Sequence, residues 1–280
     1  RYEILVAAQV ALIHRVPIAH IHGGEVTEGA FDDAIRHSVT KMSSLHFTSC
    51  EEYRHRVIQM GEQPSRVFDV GSLGVENIKA VPLMTKDELE ASLDFKIDTQ
   101  TILVTYHPVT LGGNPAKDIR EFLDALDQFK DLKVIFTMPN SDTGRDAIAL
   151  AVENYVEKHS NSAKAYTSLG LKRYLSTLQF VEAAVGNSSS GIIEVPSFGI
   201  PTLNIGDRQK GRLASKSVVN CGTSKDEVIA GLKLCLSEEM QKAAKTYENP
   251  YAKPDTANLI YQELKNVKLA GLNLKTFYDL

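Results

Sequence analysis

The chain has 280 residues, 43% hydrophobic and 24% charged, with a formal net charge of −4. That length supports two domains of ordinary size, each with its own core, and the mild acidity gives no electrostatic case for nucleic acid. No run approaches the roughly 18 to 20 uninterrupted apolar residues of a membrane span. Cys50, Cys221 and Cys235 are odd in number and scattered. They read as reduced thiols of a cytoplasmic protein and make neither a disulfide frame nor a zinc site.

The chain opens inside a helical pattern over 2–15, with no initiator Met and no cap, as the remainder of a longer chain would. A strand over 18–22 follows, then a helix over 31–43, a strand over 45–49, a helix over 51–60 and a strand over 67–70. The polar stretch 82–100 reads as a connection between domains. The cycle restarts with a strand over 101–106 and a helix over 116–129, where Ile119, Phe122, Leu123 and Leu126 fall at helical spacing. Strand 133–137, helix 146–158, strand 163–166, helix 171–179, strand 181–185, strand 201–205 and helix 225–236 complete the series, and 255–264 has helix character. Such alternation predicts an α/β protein with parallel sheets. Its parts are an incomplete doubly wound domain over 1–85, a complete one over 86–250, and a helical segment over 251–280 able to pack back on the first domain.

Ligands of open α/β sheets bind beyond the carboxyl ends of the strands. The residues just after the strands are unusually polar: His20-Ile21-His22-Gly23-Gly24-Glu25, His107-Pro108, Pro139-Asn140, Gly186 to Ser190 and Gly206-Asp207-Arg208. In the serine turn, Ser188, Ser189 and Ser190 open a helix whose N–H groups suit phosphate, and Glu194 can accept from the vicinal diol of a ribose. An ordinary serine-capped helix is the alternative.

His20 and His22, two apart on a strand, share a face. An H-x-H pair can hold a metal, but no third ligand stands at a usual spacing. Gly23 and Gly24 admit close backbone approach to a ligand, with Glu25 at the mouth of the cleft. Asp32 either favours a helix dipole or pairs with Glu25 to divide acid and base roles. His107 is either a satisfied structural histidine or a cation or donor at a phosphate, and Arg208 either a salt-bridge partner or a phosphate clamp.

Taken together, His20-Ile21-His22-Gly23-Gly24-Glu25-Val26-Thr27, Asp32-Asp33-Ala34-Ile35-Arg36-His37, Tyr106-His107-Pro108-Val109-Thr110, Gly186-Asn187-Ser188-Ser189-Ser190-Gly191 and Asn204-Ile205-Gly206-Asp207-Arg208-Gln209 resemble the hydrolysing UDP-N-acetylglucosamine 2-epimerases of bacterial sialic-acid synthesis. The resemblance implies two Rossmann-like domains in the arrangement of nucleotide-sugar glycosyltransferases (GT-B), with the UDP-sugar in the cleft between them. It implies conversion of UDP-N-acetylglucosamine and water to UDP and N-acetylmannosamine, through elimination to 2-acetamidoglucal and hydration, with no metal and no redox cofactor. It also implies a cytoplasmic homo-oligomer, a dimer or tetramer.

On this resemblance Glu25 and Asp32 handle protons and His107 stabilises departing UDP. Arg1, His22, Asn140, Ser188, Ser189, Glu194 and Arg208 bind the nucleotide sugar. Two departures stand out. Some members carry Glu at the position of His22, and a Gly-Asp-Arg motif of the family aligns its Arg with Arg1, so that its catalytic Asp would precede the first residue. Rival readings are a UDP-diacetamido-sugar epimerase, a non-hydrolysing epimerase, a glycosyltransferase of similar architecture and a non-catalytic nucleotide-sugar module.

Overall fold

A computed structural model of the chain describes residues 2–28, 30–98, 100–109, 114–139 and 144–280. The chain divides into two units, unit 1 being Arg1–Asn77 with Pro250–Leu280 and unit 2 being Ile78–Asn249.

In unit 1, α1 (Tyr2–Ile13), β1 (Ala19–Ile21), α2 (Asp32–Met42), β2 (Leu45–Thr48), α3 (Glu51–Gln59) and β3 (Val67–Asp69) alternate, and α4 (Leu73–Ala80) follows. The strands form a parallel sheet in the order β1-β2-β3. Leu45, Phe47 and Val70 pack with Leu272 and with Ile260 of the later helix, and Phe47 stacks on Phe68 with ring centroids 5.5 Å apart. Val57, Ile58 and Val67 form a second apolar cluster. His46 on β2 is fully buried, its Nε2 3.0 Å from Glu62 Oε2, and its Nδ1 has no partner among the described residues. Burial holds His46 below its ordinary pKa. A neutral ring donating from Nε2 is therefore the consistent state, since it orphans a lone pair rather than an N–H.

Unit 2 carries α5 (Lys86–Leu93), β4 (Thr101–Thr105), α6 (Pro115–Leu126), β5 (Lys133–Thr137), α7 (Arg145–Lys158), β6 (Ala163–Tyr166), α8 (Gly170–Thr177), β7 (Ala183–Gly186), α9 (Ser189–Ile193), β8 (Thr202–Ile205), β9 (Val218–Cys221), α10 (Lys225–Cys235) and α11 (Glu238–Ala244); α12 (Thr256–Asn266) returns to unit 1. The six strands are parallel in the order β6-β5-β4-β7-β8-β9, the 3-2-1-4-5-6 sequence of a doubly wound sheet. Period-two alternation divides the strand residues between two cores. Ile102, Val104, Val134, Phe136, Val185 and Leu203 join one with Ile119, Phe122 and Leu232, whereas Leu103, Ile135 and Ala184 join the other with Leu89, Leu93 and Leu175.

The stretch 82–100, expected as a plain connection, is a correction. It holds α5, closed by a capping box between Thr85 and Glu88, and buries Leu89, Leu93 and Ile97 in the second core. α4, β9 and α11 also lie outside the expected elements.

Candidate active site

The order β5-β4-β7-β8 puts the reversal of winding between β4 and β7, so their carboxyl ends frame the crevice where such sheets bind ligands. Asn187 knits this point together. Its backbone N–H donates to Thr105 O at 3.2 Å, its Oδ1 accepts from His107 N at 2.7 Å, and its Nδ2 donates to His107 O at 2.8 Å. The side-chain amide extends the ladder beyond the strands, where the backbones alone have parted. Arg208 Nη1 and Gln209 Nε2 then donate to Asn187 O at 3.1 and 2.8 Å. His107, Asn187 and Arg208 are thus one hydrogen-bonded group.

Ser188 caps α9 with a weak bond, its Oγ accepting from Ser190 N at 3.4 Å. The hydroxyls of Ser190 and of Tyr174 on α8 are hydrogen-bonded to each other. Burial pushes the Tyr174 phenol up, out of reach of ionisation near neutral pH, and the Glu194 carboxylate beside it acts in the same direction. α9 is only five residues long, so little macrodipole accumulates, and any anion affinity here rests on the Arg208 charge, hydroxyls and N–H groups. Asn187 and Gln209 stand in the strand-end motifs of the sequence but carry no expected role there, and Tyr174 lies outside those motifs. An Asn directly after the last strand glycine was the available signal for the first.

His107 is 5% exposed, and burial, followed by the Arg208 charge, lowers its pKa from 6.5 to about 4. Of the roles expected for it, burial and the Arg208 charge favour the uncharged ring, a donor of one hydrogen bond, in the chain without ligand. The shift has a consequence for stability. Between about pH 6.5 and 4 the unfolded chain binds a proton at His107 that the folded chain refuses, so stability falls as pH falls through that window. The scale is on the order of 3 kcal/mol. His20, also lowered to about 4, adds to it in the same direction. Urea midpoints measured from pH 7 to 4 should show this slope, and His107→Gln should flatten it; an unchanged slope in the variant would refute the assignment.

The polar rim of unit 1 differs from expectation in three ways. β1 ends at Ile21, and His22 turns into the left-handed region with φ +64°, so the alternation that put both histidines on one face breaks there. The two rings have different partners. His20 Nδ1 lies 3.1 Å from Thr40 Oγ1, whose own proton goes to Arg36 O, so His20 is the donor. His22 Nδ1 lies 2.6 Å from Glu25 Oε1. Secondly, the Glu25 side chain is buried rather than open to solvent. It is 3% exposed, and Ser49 Oγ donates to the same Oε1 at 3.1 Å. Thirdly, Gly24 serves packing. With φ +79°, a Cβ there would stand 2.4 Å from Tyr53 O, so glycine lets the loop meet α3.

Asp33 is bound into the scaffold, accepting from Thr27 N at 2.8 Å and from Arg36 at 3.2 Å. Asp32 is half-buried at the first position of α2. Arg1 and Asn140 lie outside the described residues. Among the described residues no cluster of three or more His, Cys, Asp or Glu is arranged to hold a metal, and no helix is long and apolar enough to cross a membrane. The three cysteines are unpaired, and burial pushes their thiols up to about 11 or 12.

Comparison with known proteins agrees with this arrangement. The family model described as UDP-N-acetylglucosamine 2-epimerase matches residues 1–265. A Campylobacter jejuni protein named GDP/UDP-N,N'-diacetylbacillosamine 2-epimerase (hydrolyzing) is 42% identical over 281 residues, covering 100% of this chain and 73% of its own length. The polysialic acid biosynthesis protein P7 of Escherichia coli is 39% identical, covering 100% of this chain and 72% of its own. The crystal structure of a Neisseria meningitidis UDP-GlcNAc 2-epimerase bound to UDP-GlcNAc superposes with a TM-score of 0.77 at 17% identity, over 94% of this chain and 73% of that one. On the family match and these two relatives, the chain belongs to the UDP-N-acetylglucosamine 2-epimerase family, alongside its hydrolysing members.

Proposed function

We propose that the chain hydrolyses and epimerises a UDP-2-acetamido sugar at C2, releasing UDP and the free 2-epimer. The observation that carries this reading is the group at the winding reversal of unit 2, where the Arg208 fork, the serine turn and the neutral His107 are joined through Asn187. Arg208, Ser188 and Ser189 hold the diphosphate, and Glu194 takes the ribose hydroxyls. His107 donates a hydrogen bond to the oxygen on which charge develops as UDP leaves.

The chemistry is an elimination followed by a hydration. Removal of the C2 proton forms the C1–C2 double bond as the C1–O bond breaks, its electron pair leaving with UDP. Water then places hydroxyl on C1 and a proton on C2 with the opposite configuration. Asp32 and the hydrogen-bonded His22–Glu25 couple are the proton-handling set. UDP-N-acetylglucosamine, giving N-acetylmannosamine, is the first reading of the substrate. A UDP-diacetamido sugar is the second, favoured by the name of the 42% identical relative. Product analysis by NMR with each sugar separates them. Free epimer plus UDP supports hydrolysis, a UDP-linked epimer supports the non-hydrolysing rival, and UDP binding without turnover supports a binding module.

Glu194→Ala should weaken UDP by about 1.5–3 kcal/mol, the scale of hydrogen bonds to a charged group, or roughly 10- to 150-fold in Kd. Calorimetric titration checks it, and unchanged affinity would sink the ribose assignment.

A further inference from the structure

Glu25 is expected from sequence to meet the substrate itself. Its surroundings point elsewhere. The carboxylate is buried, and its Oε1 receives His22 Nδ1 at 2.6 Å and Ser49 Oγ at 3.1 Å, while Arg36 Nη1 donates to Glu25 O at 3.1 Å. His22 is the outward member of the couple, with its side chain 30% exposed against 5% for Glu25. The ring's Nε2 makes no hydrogen bond to any described residue. The backbone is bent to make this possible: His22 takes φ +64°, a left-handed conformation unfavourable to a residue with a Cβ, while its N–H still closes the ladder on Phe47 O at 2.8 Å. A strained backbone, held by sheet bonding on one side and a buried carboxylate on the other, is over-determined, as residues at reacting sites tend to be.

We propose that His22 is the proton-accepting residue of unit 1 and that Glu25 and Ser49 are positioning residues acting through it. This rests on the epimerase reading above. A carboxylate that accepts from Nδ1–H fixes the tautomer, leaves a bare lone pair on Nε2, and stabilises the imidazolium once it forms. In the elimination, the C2 proton passes to His22 Nε2. The C2–H electron pair becomes the C1–C2 double bond, and the C1–O pair departs on the β-phosphate oxygen of UDP. The imidazolium then returns its proton to water, so the cycle needs no further reactant. Ser49, fully buried just after β2, donates to the same Oε1 as a second anchor of the carboxylate.

The test uses His22→Gly, which relieves the strained φ and opens space for a free base. With a UDP-2-acetamido sugar, kcat should fall about 10²- to 10⁴-fold, the usual worth of one general base, with KM changed less than about 3-fold. Added imidazole should restore at least about a tenth of the lost rate, saturably, and formate should not. Ser49→Ala should lower kcat about 3- to 10-fold at unchanged KM, as expected for a looser orienting group. In the unaltered chain without substrate, at a pH where the ring is neutral, ¹⁵N NMR should show the Nδ1–H tautomer of His22. Three results would overturn the proposal: turnover by His22→Gly within about 5-fold of the parent, rescue of Glu25→Ala by formate to the parent rate in a His22→Gly background, or a ring protonated on Nε2 only. If the unaltered chain releases no sugar from any UDP-2-acetamido substrate, the epimerase reading falls and takes this role with it. Turnover that is indifferent to His22 removes this role alone.

Discussion

Replacing Gly186 with alanine should cost unit 2 more than about 4 kcal/mol, the range reached only when a specific mechanism such as backbone strain is at work. Gly186 ends β7 at φ +130°, which L side chains rarely adopt, and a Cβ built there would stand 2.0 Å from Thr105 O. The obstacle is backbone of the neighbouring central strand, paired in register with Gly186, so it cannot swing aside as a side chain would. Relief requires β4 and β7 to part, and that breaks the Asn187 bonds to Thr105 and His107 just beyond them. The expected readout is a melting transition lowered by roughly 8–16 °C, or failure to accumulate soluble protein, together with loss of UDP binding. A variant melting within about 2 °C of the parent would show that the close approach does not constrain the fold.

The second large effect is expected at Glu62. This carboxylate is 2% exposed and takes three donors: His46 Nε2 at 3.0 Å, Lys41 Nζ at 2.7 Å and Lys275 Nζ at 2.7 Å. Burial alone would raise its pKa. The bonds from His46, Lys275 and Lys41 outweigh that and bring it to about 2. Glu62→Ala leaves the buried His46 N–H without its acceptor and Lys275 without its counter-charge, which by analogy with broken buried pairs costs about 3–5 kcal/mol.

The C-terminal tail should loosen at the same time. Lys275 also donates to Lys41 O and Ser43 O, and Phe277 lies against Gly61, where a Cβ would stand 2.3 Å from its ring. Denaturant midpoints report the stability, and limited proteolysis within residues 268–280 reports the tail. An unchanged midpoint with an unchanged cleavage rate would contradict the account.

The alternation of elements, the parallel sheets and the polar rim after the strands were all legible from residue pattern. Strand residues with period two and helix residues with period 3.6 report directly on which faces are apolar. Where the pattern was weak, structure went unseen. α5 is mostly charged at its start, and its one local signal, Thr85 followed three residues later by Glu88, is masked by the polar residues around it.

What the sequence determined by itself about this protein was its α/β class, its family resemblance, the serine turn with Glu194 in the helix it opens, and Arg208 after a strand end, because each is a property of local order along the chain. What only the tertiary structure decided was how those groups are held. Asn187 reaches His107 across 80 positions of sequence, and Ser49 reaches Glu25 across 24, so no window of local pattern contains either bond. His22 leaves the face expected to hold it with His20 because β1 stops one residue sooner than its alternation suggests, and Glu25, expected at the rim, is buried. A strand's facing rule holds only while its backbone stays extended, and at the end of β1 the hydrogen bonds to β2 and the buried carboxylate together set the direction of the side chain.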